Sequence, residues 1–227
     1  MKIGKRISLA LFALLLVGVW ATGALAKDEV RTVNDATKVL KEIMRIPEKS
    51  IPPALLRNAK AVAIFPGVIK GAFVVGGEHG VGVVSIHQYG HWSDPVFLTI
   101  TAGSVGWQIG GESTDLILVF KTLKGVENLM KGRFTLGVDA AVAAGPVGRS
   151  AEASTDVMLK AEILSYSRTR GLFAGASLEG AALLVDDGSD AAYYGKSLLG
   201  GDIVAGKGGK KKAATRNLER TLMRYSR

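Results

Sequence analysis

The strongest constraint on this chain lies between Phe134 and Asp187, a glycine- and alanine-rich stretch that alternates with period two. From Asp156 to Ile163, apolar Val157, Leu159, Ala161 and Ile163 fall on one side, and Asp156, Lys160 and Glu162 on the other. Only Met158 breaks the alternation. Successive strand side chains point to opposite faces, so the pattern predicts a sheet with one dry face and one wet face. Antiparallel sheets tolerate that arrangement. Leu172 to Glu179 continues the pattern after a turn-like Ser167–Gly171, and the rest of the chain reads as attachments to this sheet.

The flanking segments divide the chain into three parts. Residues 1–26 have a basic start (Lys2, Lys5, Arg6), an apolar run from Ile7 to Val19 and a small-residue Ala24-Leu25-Ala26, the pattern of a secretory signal peptide cut before Lys27. A membrane anchor is the weaker alternative, because a spanning helix needs about 20 apolar residues. Export to the periplasm is therefore the expected localisation. The chain has no cysteine, hence no disulfide and no lipid-modified cysteine. Residues 27–206 form one domain-sized body, and 207–227 a basic amphipathic tail. Eight Lys/Arg of the tail face the single acid Glu219, whereas the body's 18 basic and 19 acidic groups nearly cancel. Attraction to an anionic partner is thus a property of the tail.

The predicted fold class is α+β: a curved antiparallel sheet or barrel with N-terminal helices and one inserted helix. Val30–Met44 places Val33, Ala36, Leu40, Ile43 and Met44 at helical spacing, and Pro52-Pro53 opens a short helix through Asn58. Ala61–Phe65 reads as a strand closed by a Pro66-Gly67 turn, and Gly71–Ile86 as two strands around a turn near Glu78-His79-Gly80. Gln88-Tyr89-Gly90 is another turn. Val96–Thr101, Val105–Gly110, Leu116–Phe120 and Thr135–Val142 follow as strands, with the continuous apolar run Leu116–Phe120 buried on both faces. Leu123, Val126, Leu129 and Met130 form the stripe of the inserted helix.

No catalytic motif is complete, so the expectation is a non-enzymatic protein without a cofactor. Ala102-Gly103-Ser104-Val105-Gly106 approximates a nucleophile elbow, but alanine replaces the first glycine. A serine hydrolase built on Ser104 with Asp115 and His91 ranks third among the functional readings. Asp190 stands where a phosphate loop ending in Gly195-Lys196-Ser197 needs glycine, and Ser85 breaks a dinucleotide fingerprint at Gly80-Val81-Gly82. His79, His87 and His91, with Glu78 or Asp94, have the residue types of a metal site, but scattered hairpin histidines are commoner. Asp186, Asp187 and Asp190 lack calcium-loop spacing and read as a solvated turn.

The tail carries the suggestive chemistry. Gly206–Gly209 is a joint, Lys210-Lys211-Lys212 a charge block, and Ala214–Tyr225 a helix with Leu218, Leu222 and Tyr225 on one side. Arg216, Arg220 and Arg224 recur every four residues beside them. Basic amphipathic helices suit anionic membrane surfaces.

A run of motifs then resembles the SYLF domain. They are Pro66-Gly67, Trp92-Ser93-Asp94-Pro95, Gly103–Gly110, Asp115-Leu116, Phe134–Gly148, Tyr166–Gly175 and Tyr193-Tyr194-Gly195, spanning roughly residues 35–197. The resemblance implies a lipid-binding module. Val33–Met44 occupies the place of that family's lipid-binding helix, which makes Lys38, Lys41 and Arg45 headgroup contacts beside Lys210, Lys211, Lys212, Arg216, Arg220 and Arg224. For an exported chain the expected partner is an anionic phospholipid or lipopolysaccharide at a peripheral membrane surface, with no nucleic acid, no metal and an oligomeric state the sequence leaves open. The alternative is an envelope interaction protein that grips an anionic polymer or a protein partner.

Overall fold

The computed structural model describes residues 28–47, 50–73, 75–104, 112–147, 160–168 and 178–227. The signal-peptide reading, the strand expected at Val105–Gly110, residues 156–159 of the expected Asp156–Ile163 strand and residues 172–177 of Leu172–Glu179 lie outside them.

Two long strands, not the Phe134–Asp187 stretch, form the centre. β1 (Ala61–Phe73) and β2 (Val75–Gln88) pair antiparallel, and β5 (Glu112–Phe120) and β4 (Val96–Ser104) flank them. β3 (His91–Trp92) folds back on β2 through a turn at Tyr89 (φ 52°) and Gly90 (φ 77°), the two left-handed residues that a tight hairpin needs. β6 (Phe134–Thr135), β7 (Val142–Ala144), β8 (Ile163–Arg168) and β9 (Ala182–Val185) complete the order β6-β9-β4-β2-β1-β5-β8-β7. All pairs are antiparallel except β7 with β8.

That order makes the sheet curl. Its two outermost strands, β6 and β7, are neighbours in sequence, joined by residues 136–141. Leu136 donates its N–H to Ala181 on one side, and Ala141 accepts from Ile163 on the other. A six-residue link spans at most about 20 Å, so the two ends of this eight-strand order must come together.

Local chemistry moves several expected boundaries. Pro66-Gly67 does not end a strand. Ile64 pairs with Val83 and Ile69 with His79, so β1 holds one extra residue there: a bulge. Gly67 supplies the left-handed backbone at φ 65°, and its N–H donates to Asp115 Oδ1 at 3.1 Å. The expected turn at 78–80 is instead mid-strand, with Gly80 opposite Ile100. Thr135–Val142 is not one strand: Gly137 turns the chain at φ 81°, and Asp139 Oδ2 accepts from Thr135 N. Ser167 and Arg168 are strand, not turn.

The central strands are dry on both faces, as the continuous apolar runs Ala61–Phe65 and Leu116–Phe120 imply. Val62, Ile64, Ile117 and Val119 belong to one buried cluster, and their neighbours Ala61, Ala63, Leu116 and Leu118 to another. Helices cover both sides. α1 (residues 28–44), α2 (Pro53–Asn58) and α6 (Ala213–Tyr225) cover the first face, and α3 (Leu123–Met130) and α5 (Gly200–Val204) the second. α4 (Asp187–Tyr194) sends Tyr193 into the first cluster. Gly82 lies against the neighbouring strand beside the bulge: a Cβ there would meet Ile64 O at 2.3 Å and the Phe65 ring at 2.6 Å. In α3, Thr122 caps Gly125 N, and Val126 and Leu129 are buried, but Leu123 of the expected stripe points to solvent. None of the described helices is long and apolar enough to cross a membrane.

Candidate functional site

The first face brings together two helices from opposite ends of the chain. Val33, Ala36, Leu40 and Ile43 of α1 share a core with Ala214, Leu218 and Leu222 of α6. Both helices are amphipathic, so burying those stripes turns the charged sides outward. The joint before α6 is a defined turn. Lys207 N donates to Asp202 O at 2.9 Å, its ammonium pairs with Asp202 at 2.8 Å, and Gly206 (φ 80°) and Gly209 (φ 87°) take left-handed backbone.

Resemblance motifs do the anchoring. Trp92 Nε1 donates to Ser226 Oγ at 3.1 Å. The Tyr193 hydroxyl bonds Thr215 Oγ1 at 2.7 Å, and the Tyr194 hydroxyl donates to Pro95 O at 2.6 Å. Lys211 Nζ bridges Asp94 Oδ1 at 3.1 Å and Glu219 Oε1 at 2.5 Å. Burial, then the neighbouring Asp94, pushes the Glu219 carboxyl above its usual range, although Lys211 opposes this. Burial disfavours the Lys211 charge, but the two carboxylates outweigh it and raise its ammonium. At α1, Arg168 of β8 pairs with Glu42 at 2.5 Å and with Asp115 at 2.8 Å.

Between the two helices runs a groove of about 640 Å³ lined by Lys41, Arg45, Asn217, Arg220, Thr221, Arg224 and Tyr225. Its cations come as two pairs spaced four residues apart, Lys41 with Arg45 just past the end of α1, and Arg220 with Arg224 within α6. Like charges at that spacing destabilise a helix by a few tenths of a kcal/mol. No carboxylate is among the described residues that line the groove. An arrangement that costs the fold in this way is relieved by a bound anion, which Arg fork geometry suits.

The nine cations expected at the site separate into groups. Lys41, Arg45, Arg220 and Arg224 converge on the groove. Lys38 is exposed on α1 and Lys210 on the loop, and neither lines it. Lys211 is tied to Asp94 and Glu219, Lys212 sits 4.3 Å over the Tyr193 ring, and Arg216 bonds Lys211 O, so these three brace the loop before α6. Asn217, Thr221 and Tyr225 were missed. Asn217 and Thr221 lie three residues before Arg220 and Arg224, where a helix puts them on the same side.

The other candidate centres come apart. Ser104 pairs with Gly76 and His91 with Gln88, at opposite ends of β2. Twelve strand residues at about 3.4 Å each put them some 40 Å apart, too far for a triad. Asp115 is already engaged by Gly67 and Arg168. His79 lies mid-β2, and His87 stacks on Trp92 with centroids 4.6 Å apart. Among the described residues no group of three His, Cys, Asp or Glu is placed to hold a metal. The expected solvated aspartate turn is also corrected. Asp186 caps α4 through Ser189 N, and Asp190 is fully buried, with Oδ1 accepting from Phe97 N at 3.0 Å.

Comparisons with known proteins converge. The family description "Ysc84: Las17-binding protein actin regulator" matches residues 101–225. "SH3 domain-containing YSC84-like protein 1" of Homo sapiens is 35% identical over 178 residues, covering 75% of this chain and 52% of that protein. The Xenopus laevis protein of that name is 36% identical over 168 residues, 71% of this chain and 50% of the relative. "LAS seventeen-binding protein 3" of Saccharomyces cerevisiae is 34% identical over 164 residues, 70% of this chain and 36% of the relative. The chain thus spans about half the length, or less, of these relatives. The matched region contains β5, the anchoring tyrosines and α6, and on this evidence the chain belongs to the Ysc84 (SYLF domain) family.

Proposed function

We propose that the protein is a non-enzymatic binder of anionic membrane surfaces, and that the α1/α6 groove is its contact. The observation that carries this reading is the convergence of Lys41, Arg45, Arg220 and Arg224 on one groove whose described lining holds no carboxylate. Phosphate headgroups are anionic acceptors of the kind such a groove takes. In an exported setting the ligand is an anionic phospholipid or lipopolysaccharide at the periplasmic side, bound peripherally.

Co-sedimentation tests this. The chain from Lys27 onward contains every described residue and is mixed with phosphatidylglycerol/phosphatidylcholine vesicles. Arg220→Glu/Arg224→Glu should lower partitioning about tenfold or more, since each cation near such a surface contributes ~1 kcal/mol. Binding should fade as salt shortens the Debye length to about 3 Å at 1 M. Unchanged partitioning of the variant refutes the groove.

The relatives' names favour a second reading, in which the same cations take an acidic protein or polymer. The family description names Las17 binding, and a relative's name says the same of that relative. Salt-sensitive retention on a polyanionic matrix without vesicle binding would select it.

A further inference from the structure

The joint before α6 is held by charges that do not balance. Lys211 Nζ lies 2.5 Å from Glu219 Oε1 and 3.1 Å from Asp94 Oδ1. One ammonium thus serves two carboxylates, one from the link between β3 and β4 and one from the second turn of α6. Water screens them little: the Asp94 side chain is 3% exposed and that of Glu219 18%. Gly208 brings the joint hard against them, since a Cβ there would meet Tyr194 Cε1 at 2.8 Å and Asp94 Oδ2 at 3.2 Å.

The other charged and titratable groups nearby are engaged elsewhere. Arg216 of α6 donates to Lys211 O, and Lys212 lies 4.3 Å over the Tyr193 ring. On α4, the Tyr193 hydroxyl bonds Thr215 and the Tyr194 hydroxyl bonds Pro95 O, and burial raises both phenols. Asp190 of the same helix accepts from Phe97 N. Lys207 and Asp202 pair with each other at 2.8 Å, and Lys210 and Arg220 are exposed. His87 stacks on Trp92, which bonds Ser226 at the other end of α6, and His91 pairs with Gln88. Among the described residues, the ion pairs of Asp94 and Glu219 both run to Lys211.

With both carboxylates ionised, two negative charges share one positive charge in a space with little water. Carboxylates placed in this way favour keeping a proton on one of them. Burial and the neighbouring Asp94 raise the Glu219 carboxyl, against the pull of Lys211. A carboxyl raised on folding contributes its full stability at low pH and loses it as pH rises through its folded value.

We propose that Asp94, Lys211 and Glu219 form a pH-sensitive latch, which holds the joint and the first turns of α6 while Glu219 is protonated and slackens when Glu219 ionises. Because Arg220 and Arg224 ride on α6, the latch also sets how well the groove takes an anion. That consequence rests on the groove reading above, whereas the latch stands without it.

Hydrogen exchange over residues 207–220 reads the latch in the chain from Lys27 onward, between pH 5 and 9, with rates corrected for the intrinsic pH dependence of exchange. Asp190→Asn serves as the parent, so that the carboxyl tying α4 to β4 does not titrate. Its protection over 207–220 should fall as pH rises, about tenfold for each unit by which Glu219 is raised, while that of β1 and β5 stays level. Glu219→Gln keeps the shape and an acceptor for Lys211 but cannot ionise, and its protection should stay constant within about twofold. Asp94→Asn leaves Lys211 and Glu219 one to one and should keep its protection at pH 9. Constant protection in the parent overturns the latch, as does an equal fall in β1 and β5, or the parent's fall repeated in Glu219→Gln. Co-sedimentation with phosphatidylglycerol/phosphatidylcholine vesicles reads the groove. The parent should lose more partitioning between pH 5 and 9 than Glu219→Gln does. Equal losses, with the latch seen to slacken, overturn its control of the groove. Partitioning that Arg220→Glu/Arg224→Glu leaves unchanged marks failure of the groove reading, and the exchange result still decides the latch.

Discussion

Asp190 links the fold most directly to pH. It is fully buried, and its Oδ1 accepts from Phe97 N at 3.0 Å, which ties α4 to β4. Its Oδ2 has no hydrogen-bond partner among the described residues. Burial pushes its carboxyl from 3.8 to about 7, the Phe97 N–H opposes this, and the charges of Asp187 and Asp186 reinforce it. A carboxyl raised on folding stabilises most when protonated. Its contribution is fully present below about pH 4, declines as pH rises through about 7, and then levels off. Three pH units at 1.36 kcal/mol each give an upper bound of about 4 kcal/mol. At roughly 2–4 °C per kcal/mol, the melting temperature should fall by about 8–16 °C at most. Asp190→Asn keeps the acceptor for Phe97 and removes the titration. The measurement is the melting-temperature difference between wild type and Asp190→Asn from pH 4 to 9. It should change sign in favour of the variant as pH rises. Parallel curves across that range would refute the reasoning.

Two further outcomes follow from the packing. Lys211→Met leaves Asp94, 4% exposed, beside Glu219 without the cation between them, and should cost about 3 kcal/mol in chemical denaturation, whereas Lys210→Met should stay within about 0.5 kcal/mol. Leu222→Ala should cost about 2–5 kcal/mol and Leu123→Ala close to nothing, because Leu222 is 1% exposed and Leu123 52%. Equal melting shifts for those two variants would contradict the assignment of α6 to the core.

The sequence made the amphipathic elements legible and hid the layers that cover them. Helical spacing located α1, α3 and α6, because burial of a stripe leaves a periodic trace. A continuous apolar run located the core of β5 and its two dry faces. Neither signal says which helices cover those faces. Alternating Val62, Ala63, Ile64 and Phe65 reads as one apolar run, and two buried faces account for it. The bulge at Pro66-Gly67 was mistaken for a strand end because its residues are turn residues, and only pairing with Ser113–Leu116 shows that the ladder resumes. The groove was half legible. Each basic pair, spaced four residues apart, was visible by itself, but the meeting of residues 41–45 with 217–225 depends on two helices packing on one sheet face. Local spacing carries no record of that contact.

The helix expected as a detachable tail is the clearest case. Its charge set it apart from a near-neutral body, yet Leu218 and Leu222 are each 1% exposed in the cluster that holds Leu40. Removing residues 207–227 takes away these leucines, the Lys211 bridge and half of the groove's cations together. Loss of membrane binding in such a truncation would therefore report unfolding as readily as lost attraction. Charge reversal at Arg220 and Arg224 avoids that ambiguity, because both side chains are exposed and the apolar side of α6 stays intact. The motifs behind the family resemblance then have a physical task. Trp92, Asp94, Pro95, Tyr193 and Tyr194 fix β3, the approach to β4, the end of α4 and both ends of α6 relative to one another through Ser226, Lys211 and Thr215. The four cations meet in one groove only if the spacing of α1 and α6 is held, and these contacts hold it.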